Sequence, residues 1–505
     1  MLSGVATFAI IGIDSSEVTV EVDLRRGLPG FAIVGLPDRA VRESRERVRA
    51  ALLNSGLDFP QQRLTANLAP ADLRKAGPSF DLAIAVAVLA ATGQVPADRL
   101  RDYAVCGELS LGGTLRPIHG AVAIAAGARR AGYRRLIVPA ENAREAALVP
   151  DVDVFGVPAL TQLVDLISGD WDPDPAEPAT GPADTGHGPD LADVRGQDDA
   201  RRALEIAAAG GHNVLMVGPP GVGKTMLARR VPGILPPPSF EEALEITRVQ
   251  SVAGLGNGRL ATRRPFRSPH HTISSAGLIG GGSVPRPGEI TLAHRGVLFL
   301  DELAEFSRDA LEALRQPLEG GSIDIMRGQR WLRFPAAFML VGACNGCSCG
   351  RSAGDCSCNE TDRARYHRRL SGPLLDRIDL VCTLRAAPTL DLVSPASARP
   401  EPSATVRERV VAARARQSAR LAGTDAACNA AMDVAQTRAV VRVPERLERA
   451  LRATPTTAAV SFRGQDRVLR LARTIADLDG RGEVQGSDLD EAIGYRLGAA
   501  DAVAA

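Results

Sequence analysis

The chain has 505 residues, a length typical of about three domains. Apolar residues make up 45% and charged residues 24%, which is ordinary for a soluble globular protein, and the formal net charge is +1. So small a charge excludes a basic field over the whole surface, and any contact with nucleic acid has to come from a local patch. The sequence has neither an apolar run of 18 residues nor a recognisable secretory leader, so we expect a cytoplasmic protein without membrane contact.

The first stretch, residues 1–168, is predicted to fold as an α/β domain. Its predicted strands and helices lie at 6–13, 18–22, 40–54, 80–91, 136–138 and 152–157. Residues 169–190 contain five prolines among aspartates, glycines and alanines, and this composition predicts a linker.

A phosphate-binding loop is predicted at 218–225, where GPPGVGKT matches the pattern G-x-x-x-x-G-K-[ST]. The preceding apolar run predicts a buried strand, and a helical pattern follows the loop. In such a loop Lys224 reaches the β- and γ-phosphates and the Thr225 hydroxyl ligates the metal, so we predict binding of ATP with Mg²⁺. The predicted nucleotide-binding residues are Gly218, Pro219, Pro220, Gly221, Val222, Gly223, Lys224 and Thr225.

A second motif, GVLFLDEL at 296–303, predicts a buried strand that delivers Asp301 and Glu302 at its carboxyl end. Ligands of open α/β sheets bind at that edge. We expect Asp301 to hold Mg²⁺ through water and Glu302 to polarise the attacking water. The alternative is a pair of solvated carboxylates at the start of a helix.

The segment between these motifs, residues 232–295, contains the adjacent histidines His270 and His271 and a glycine run at 280–282. Neighbouring side chains point apart on a strand or a helix, and a third metal ligand is not apparent in the sequence. Loop structure or polar contacts are therefore favoured over a metal site.

Alternating residues at 322–334 predict a β-hairpin whose basic tip carries Arg327 and Arg330. This tip is a candidate contact to nucleic acid, and the alternative is a solvated surface hairpin. A predicted strand at 337–341 follows it directly.

The cysteines are unevenly distributed, because five of the eight lie between Cys344 and Cys358. Cys347, Cys349, Cys356 and Cys358 form a C-x-C-x₆-C-x-C arrangement. Four thiolates make a closed tetrahedral zinc site, although C-x-C is tighter than the usual C-x₂-C spacing. Free or redox-active thiols are the alternative, and Cys344 is predicted to be a packing residue.

Taken together, these motifs resemble the YifB/ComM family of magnesium-chelatase-like AAA+ ATPases. The resemblance covers nearly the whole chain. It is carried by KAGPSFDLAIAVAVLAA, RPFRSPHHTISSAGLIGGG, VLFLDEL, the paired C-x-C motif, SGPLLDRIDL and SFRGQDRVLRLARTIADL. The resemblance implies an α/β fold with a Lon-protease-like (ribosomal S5 domain 2-like) domain at 1–168. A P-loop AAA+ core with a helix-2 insert and the cysteine cluster would follow at 191–385, and a C-terminal helical lid at 386–505.

Three further residues take their roles from the same resemblance. Asn345 stands where such proteins keep the sensor that orients the lytic water. Arg377 stands where ring ATPases supply an arginine finger to the neighbouring subunit, its alternative being a local salt bridge to Asp376 or Asp379. Arg463 would contact the γ-phosphate.

The resemblance also implies a homo-hexameric ring that hydrolyses ATP and drives branch migration of DNA during recombination and natural transformation. A chelatase-type motor that remodels a partner protein is the alternative. Proteolysis is not expected. Ser79 stands where a Lon-type catalytic serine would be, but Val122 occupies the position of the lysine, and an isopropyl group cannot act as the base.

Overall fold

The computed structural model describes residues 2–179, 188–282, 286–327, 330–350, 356–370, 372–385, 400–441 and 462–504. Within these ranges Arg327, Arg330 and Arg463 are described by their backbone alone. None of the helices in the described ranges is both long enough and apolar enough to span a bilayer.

The N-terminal domain is a seven-stranded mixed sheet with helices packed against it. Its strand order is β3-β4-β2-β1-β5-β8-β9. The sheet strands are β1 (Leu2–Ile11), β2 (Asp14–Arg25), β3 (Gly30–Val34), β4 (Arg63–Ala69), β5 (Tyr103–Val105), β8 (Arg135–Pro139) and β9 (Asp153–Val157), and β6 (Glu108–Leu109) and β7 (Leu115–Arg116) form a separate pair. The helices are α1 (Arg39–Asn54), α2 (Asp81–Ala91), α3 (Ala121–Arg130), α4 (Ala140–Ala146) and α5 (Leu160–Ser168).

Helix α2 forms the centre of this domain, and all its residues are buried. A helix that is apolar on every side is stable only when it is surrounded by other elements. Its one charged residue, Asp81, is compensated by Arg47, whose Nε lies 2.6 Å from Asp81 Oδ2. Val122 on α3 is fully buried in a neighbouring apolar cluster. The domain is therefore a packed α/β fold, with a buried aliphatic side chain where the resemblance would place a lysine.

The segment predicted as a linker begins as part of the N-terminal domain. Trp171 packs against the core that contains α2, and the Ala176 N–H donates to the Val154 carbonyl at 2.7 Å. Asp190, at its other end, accepts a hydrogen bond from the Ser403 N–H at 2.9 Å. Both described ends of the segment 169–190 are therefore attached to folded structure.

The second domain is a five-stranded parallel sheet with the order β11-β14-β17-β10-β18. Its strands are β10 (Val214–Val217), β11 (Phe266–Arg267), β14 (Val297–Leu300), β17 (Met339–Cys344) and β18 (Leu380–Thr383). The helices are α6 (Asp198–Gly210), α7 (Lys224–Ala228), α8 (Val231–Ile234), α9 (Phe240–Ala253), α10 (Ser275–Ile279), α11 (Glu289–Leu292), α12 (Arg308–Ala313), α13 (Arg315–Gly320), α14 (Glu360–His367) and α15 (Gly372–Leu375). Two strand pairs lie outside this sheet, namely β12 (Gly280–Gly281) with β13 (Arg286–Pro287) and β15 (Ser322–Arg327) with β16 (Arg330–Pro335). Because all five strands are parallel, the loops after β10, β14 and β17 meet at one edge.

The C-terminal part is helical and packs on α6. Its described helices are α16 (Ser403–Arg420), α17 (Val434–Val440), α18 (Phe462–Leu478) and α19 (Gly486–Ala504). Buried polar side chains join the two parts, since His212 Nε2 lies 2.8 Å from Thr474 Oγ1 and Asn429 Nδ2 donates to the same oxygen at 3.0 Å. The predicted boundary at residue 386 lies outside the described residues.

The N-terminal domain contacts the second domain through α9 and the β15–β16 hairpin. The Gly120 N–H donates to the Ser251 carbonyl at 3.1 Å, and Arg248 Nη1 lies 3.0 Å from Asp14 Oδ1. At the turn after β1, a Cβ atom on Gly12 would lie 3.5 Å from the ring of Phe334. The root of the hairpin is therefore enclosed by both domains.

Candidate ATPase site

The predicted phosphate loop connects β10 to α7, as the sequence motif requires. Gly221 and Gly223 have φ angles of +83° and +98°, a region that side chains disfavour. Gly218 is required for a different reason, because a Cβ atom there would lie 2.6 Å from the Leu384 carbonyl oxygen. Gly221 and Gly223 therefore allow the tight turn, and Gly218 allows the backbone of Leu384 in the same chain to approach closely.

Lys224 is the first residue of α7, and its ammonium lies over the loop. Nζ donates to the carbonyl oxygens of Gly218 at 2.5 Å and Pro219 at 2.9 Å, and to Asn345 Oδ1 at 3.0 Å. Burial lowers the pKa of Lys224, because the charged form loses hydration. A polyphosphate is a stronger partner for a buried cation than these neutral oxygens, so the residue fits a phosphate-binding role.

The magnesium ligands predicted from the sequence meet at the sheet edge. The Thr225 hydroxyl donates to Asp301 Oδ2 at 2.6 Å, while Asp301 Oδ1 accepts from the Glu302 N–H at 3.0 Å. A hydroxyl beside a carboxylate is the oxygen donor set that Mg²⁺ takes beside nucleotide phosphates. Thr225 and Asp301 would hold the ion. The ion would neutralise part of the negative charge of the phosphates.

Glu302 follows Asp301 in a left-handed conformation, with φ of +52°, and its side chain is 56% exposed. Its Oε2 lies 3.1 Å from His271 Nδ1, a contact that the sequence did not indicate. The prediction of loop structure or polar contacts for His270 and His271 is confirmed, since His270 Nδ1 lies 2.9 Å from Thr272 Oγ1 and the two imidazole ring centroids are 4.2 Å apart. The histidines lie in a loop, where the alternation of a regular strand does not apply.

Arg377 forms an ion pair within its own chain, but its partner is neither aspartate that flanks it. Its guanidinium contacts Glu319, at the end of α13, and its side chain is 12% exposed. Asp379 instead accepts from the Asn213 N–H at 3.0 Å and lies 3.6 Å from Arg467 Nε. The local salt bridge considered as an alternative therefore exists with a different carboxylate.

Arg463 lies in the first turn of α18, and its side chain is outside the described residues. Arg467, one turn along the same helix, donates from Nη1 to the Ile378 carbonyl at 3.4 Å. The start of α18 therefore lies against the segment that carries Arg377.

The four paired cysteines converge after Asn345. Their sulfur atoms all lie within 4.8 Å of one another, with Cys347 Sγ 3.1 Å from Cys349 Sγ and 3.4 Å from Cys356 Sγ. Sulfurs that share a tetrahedral zinc are about 3.8 Å apart, so the cluster has the right dimensions. Cys344 is separate and buried, as predicted for a packing residue.

The β15–β16 hairpin pairs as the alternation predicted, with Arg327 opposite Arg330 at its outer end. One face of its root, including Ile323 and Phe334, is buried in the core of the second domain. The cross-strand pair next to the arginines is exposed, since Met326 is 60% and Trp331 70% accessible. An aromatic side chain in solvent therefore accompanies the two arginines.

Comparison with known proteins decides the family. Three family models match the chain. Residues 190–392 match the family described as "Magnesium chelatase, subunit ChlI". Residues 20–142 match "Subunit ChlI of Mg-chelatase", and residues 400–496 match "Magnesium chelatase, subunit ChlI C-terminal". The "Uncharacterized protein YifB" of Salmonella typhimurium is 43% identical over 499 residues, covering 98% of this chain and 97% of the relative. The "Competence protein ComM" of Haemophilus influenzae is 42% identical over 494 residues, covering 97% and 96%. The chain belongs to the YifB/ComM family of magnesium-chelatase-like AAA+ ATPases.

A third relative matches only part of the chain. "Lon protease 2" of Bacillus subtilis is 33% identical over 135 residues, which cover 25% of this chain and 24% of the relative. Membership of the YifB/ComM family implies the use of ATP and Mg²⁺, and the positions of Lys224, Thr225 and Asp301 fit both ligands.

Proposed function

We propose that this family member is a ring-forming motor that couples ATP hydrolysis to the remodelling of DNA, as a ComM-like branch-migration helicase in recombination and natural transformation. The observation that carries the proposal is the exposed Trp331, which follows Arg330 in the chain, with Arg327 paired to Arg330 across the hairpin. Aromatic rings stack on bases of any sequence, and guanidinium groups bind phosphates, so this combination suits sequence-independent contact with a DNA strand.

The hairpin is mechanically joined to the ATPase site. Between β16 and β17 the Ala336 N–H donates to the Gly321 carbonyl at 2.8 Å, and the Ala337 N–H donates to His294 Nδ1 at 3.1 Å. Strand β17 then runs through the core and ends beside Asn345, which contacts Lys224. A change at the phosphates therefore has a path along β17 to the hydrogen-bonded root of the hairpin.

A homo-hexamer is part of the proposal, because an arginine finger acts across a subunit interface. The name of the ComM relative contains the word competence, which supports a role on DNA taken up by the cell. The alternative remains a chelatase-type motor that remodels a protein partner. Because a magnesium-chelatase family matches residues 20–142, the N-terminal domain does not separate the two functions. Trp331 beside two arginines favours nucleic acid.

The deciding experiment measures ATP turnover without DNA, with linear duplex, and with forked or four-way DNA. We expect branched DNA to raise turnover, and strand movement to be detected with a labelled four-way junction. Turnover that is unaffected by every DNA would contradict the proposal and leave the protein-remodelling alternative.

The variant Arg327→Ala with Arg330→Ala should keep ring formation and DNA-free ATP hydrolysis. It should lose DNA stimulation and branch migration, and its residual DNA binding should depend less steeply on salt, because fewer counterions are released. In a hexamer the two substitutions remove about twelve guanidinium groups from the channel.

Arg333→Ala is the matched control for this variant, because Arg333 lies on the same hairpin but is paired with Asp324 at 2.9 Å. Branch migration at the parental rate in the double variant would make the hairpin a bystander. The insert around 280–282 would then be the better candidate for the DNA contact.

We also propose that Cys347, Cys349, Cys356 and Cys358 hold one structural zinc ion. The dimensions of the cluster support this, as does its position. A Cβ atom on Gly350 would lie 3.3 Å from Pro220 of the phosphate loop and 3.8 Å from Asn345 Nδ2. A metal that fixes the cysteine loop would therefore also fix the neighbours of the nucleotide.

Elemental analysis of protein purified without chelator should find about one zinc per chain. Replacing Cys347 and Cys349 together with serine should remove the metal and lower the thermal stability, because the loop loses its internal link. Cys428→Ser is the matched control, since Cys428 lies outside the cluster. Protein without zinc, in which the four thiols react freely in the native state, would contradict the site.

A further inference from the structure

The residue that joins the β15–β16 hairpin to β17 is held at both of its backbone polar groups. The Ala337 N–H donates to His294 Nδ1 at 3.1 Å, and the Ala337 carbonyl accepts from the Arg295 N–H at 2.6 Å. His294 and Arg295 lie just before β14, the strand that ends beside Asp301 and Glu302. Two hydrogen bonds fix both the position and the orientation of Ala337, so the hairpin is tied to the start of β14.

The contact with Ala337 decides which nitrogen of His294 carries the proton. A backbone N–H can only donate, so Nδ1 has to be the unprotonated, accepting nitrogen. Nε2 then carries the hydrogen, and it lies 3.1 Å from Oε2 of Glu245 on α9. The His294 side chain is 5% exposed, and burial lowers the pKa of His294, which favours this neutral form. The ring therefore uses both of its nitrogens to connect one backbone N–H to one carboxylate.

Glu245 also holds the second residue of this joint. Its Oε2 lies 2.7 Å from Arg295 Nε, and the hydrogen bonds from His294 and Arg295 lower the pKa of Glu245 to about 2. Arg295 has a φ angle of +59°, a region that side chains disfavour, and its carbonyl accepts from Arg264 Nη1 at 2.8 Å. Backbone in such a conformation persists only where its surroundings hold it firmly. The turn before β14 is therefore a fixed point of the structure.

The helix that carries Glu245 is supported on its other side by the N-terminal domain. Arg248, one turn further along α9, lies 3.0 Å from Asp14 Oδ1, and the same oxygen lies 3.4 Å from Arg130 Nη1. The joint at Ala337 is thus connected through α9 to a second folded domain. This support allows the joint to transmit a rotation without yielding itself.

We propose that His294 is a positioning residue for the hairpin, which fixes Ala337 so that movements of β14 and β17 during the ATPase cycle rotate the hairpin as one unit. This inference rests on the proposed DNA function, because it names the residue through which ATP hydrolysis directs the hairpin. The role requires the accepting nitrogen at Ala337 rather than the volume of the ring.

Two amide substitutions separate these requirements, and each is the matched control for the other. In His294→Asn the side-chain oxygen occupies the position of Nδ1 and can accept from Ala337, but it does not reach Glu245. In His294→Gln the amide reaches the position of Nε2 and can contact Glu245, but the acceptor at Ala337 is lost. Both variants remove the ring and keep a polar amide.

The first measurement is hydrogen exchange of the full-length chain without DNA, followed in the peptide that covers 332–338. Exchange should be about two- to tenfold faster in His294→Gln, the factor that one hydrogen bond supports, and near parental in His294→Asn. Glu245→Ala should also speed exchange in this peptide, because His294 and Arg295 lose their common partner. Exchange in α6 should stay parental in all three variants and shows that the fold is intact.

The second measurement is steady-state ATP turnover with and without four-way DNA. The kcat and KM without DNA should stay parental in His294→Gln and His294→Asn, because His294 contacts neither the phosphate loop nor the magnesium ligands. The stimulation by DNA should fall by about two- to tenfold in His294→Gln and persist in His294→Asn.

Three results would overturn the inference. The first is parental exchange in His294→Gln, and the second is equally fast exchange in both variants, since the ring would then only fill space. The third is full DNA stimulation in His294→Gln despite faster exchange, because the joint would then not direct the hairpin. A parental protein that DNA does not stimulate would contradict the proposed function, whereas faster exchange in His294→Gln alone would still support the role of His294 at the joint.

Discussion

Replacing Lys224 with alanine is expected to abolish nucleotide binding, while Glu302→Gln keeps binding and loses turnover. The first change removes the cation that faces the phosphates, and we expect the affinity for ATP to fall by roughly a hundredfold or more. The second removes only the carboxylate that we expect to activate water, and a positioned base is worth about 10²- to 10⁴-fold in rate. Titration with a fluorescent ATP analogue and a phosphate-release assay measure the two effects separately.

Glu305→Gln is the control for the glutamate variant. Glu305 is an exposed carboxylate close by in sequence, and it pairs with Arg369 at 2.8 Å. It should turn over ATP at the parental rate. If Glu302→Gln also did so, the assignment of Glu302 would be wrong.

Mixing Arg377→Ala protein with Lys224→Ala protein is expected to restore part of the activity that each variant lacks alone. In a mixed ring some interfaces combine an intact phosphate loop with an intact arginine from the neighbour. An arginine finger contributes about 10³- to 10⁵-fold to the rate, so even a few such interfaces are detectable over inactive homomeric rings.

The contact between Arg377 and Glu319 supplies the control for this experiment. Glu319→Gln leaves the arginine in place and weakens its local anchor. A finger that acts in trans should remain active in this variant, whereas a purely local salt bridge would fail in both. Rings shown to be mixed that recover no activity would assign Arg377 to a local structural role.

The sequence predicted those parts of the site that one strand and its following loop determine. Lys224 and Thr225 follow a strand, and Asp301 and Glu302 follow another, so their positions depend only on parallel strands ending at one edge. The hairpin is equally local, because its alternation and turn are adjacent in the chain. Each of these features could be predicted without knowing the order of the strands.

The contacts that were not predicted join distant segments. His271 reaches Glu302 because β11 lies next to β14, and the strand order is a property of the whole sheet. Arg377 meets Glu319 because the segment after α15 packs near the end of α13, although charged neighbours stand beside Arg377 in sequence. Proximity in sequence favoured Asp376 and Asp379 as partners, which is wrong, because proximity does not tell in which direction the Arg377 guanidinium points.

If the protein moves DNA as proposed, the buried root of the hairpin would limit how far one ATP cycle displaces the DNA. Only the part beyond the Ile325–Leu332 pair is free of the core, which leaves the Met326–Trp331 pair, the Arg327–Arg330 pair and the turn. At about 3.3 Å per residue this lever is roughly 10 Å long, and a rotation of about 60° moves its end by the same distance. Successive nucleotides of one strand are about 3.4 Å apart. For the proposed DNA motor, a swing of this size would correspond to about three nucleotides for each ATP, and long-distance branch migration would require many successive hydrolysis events.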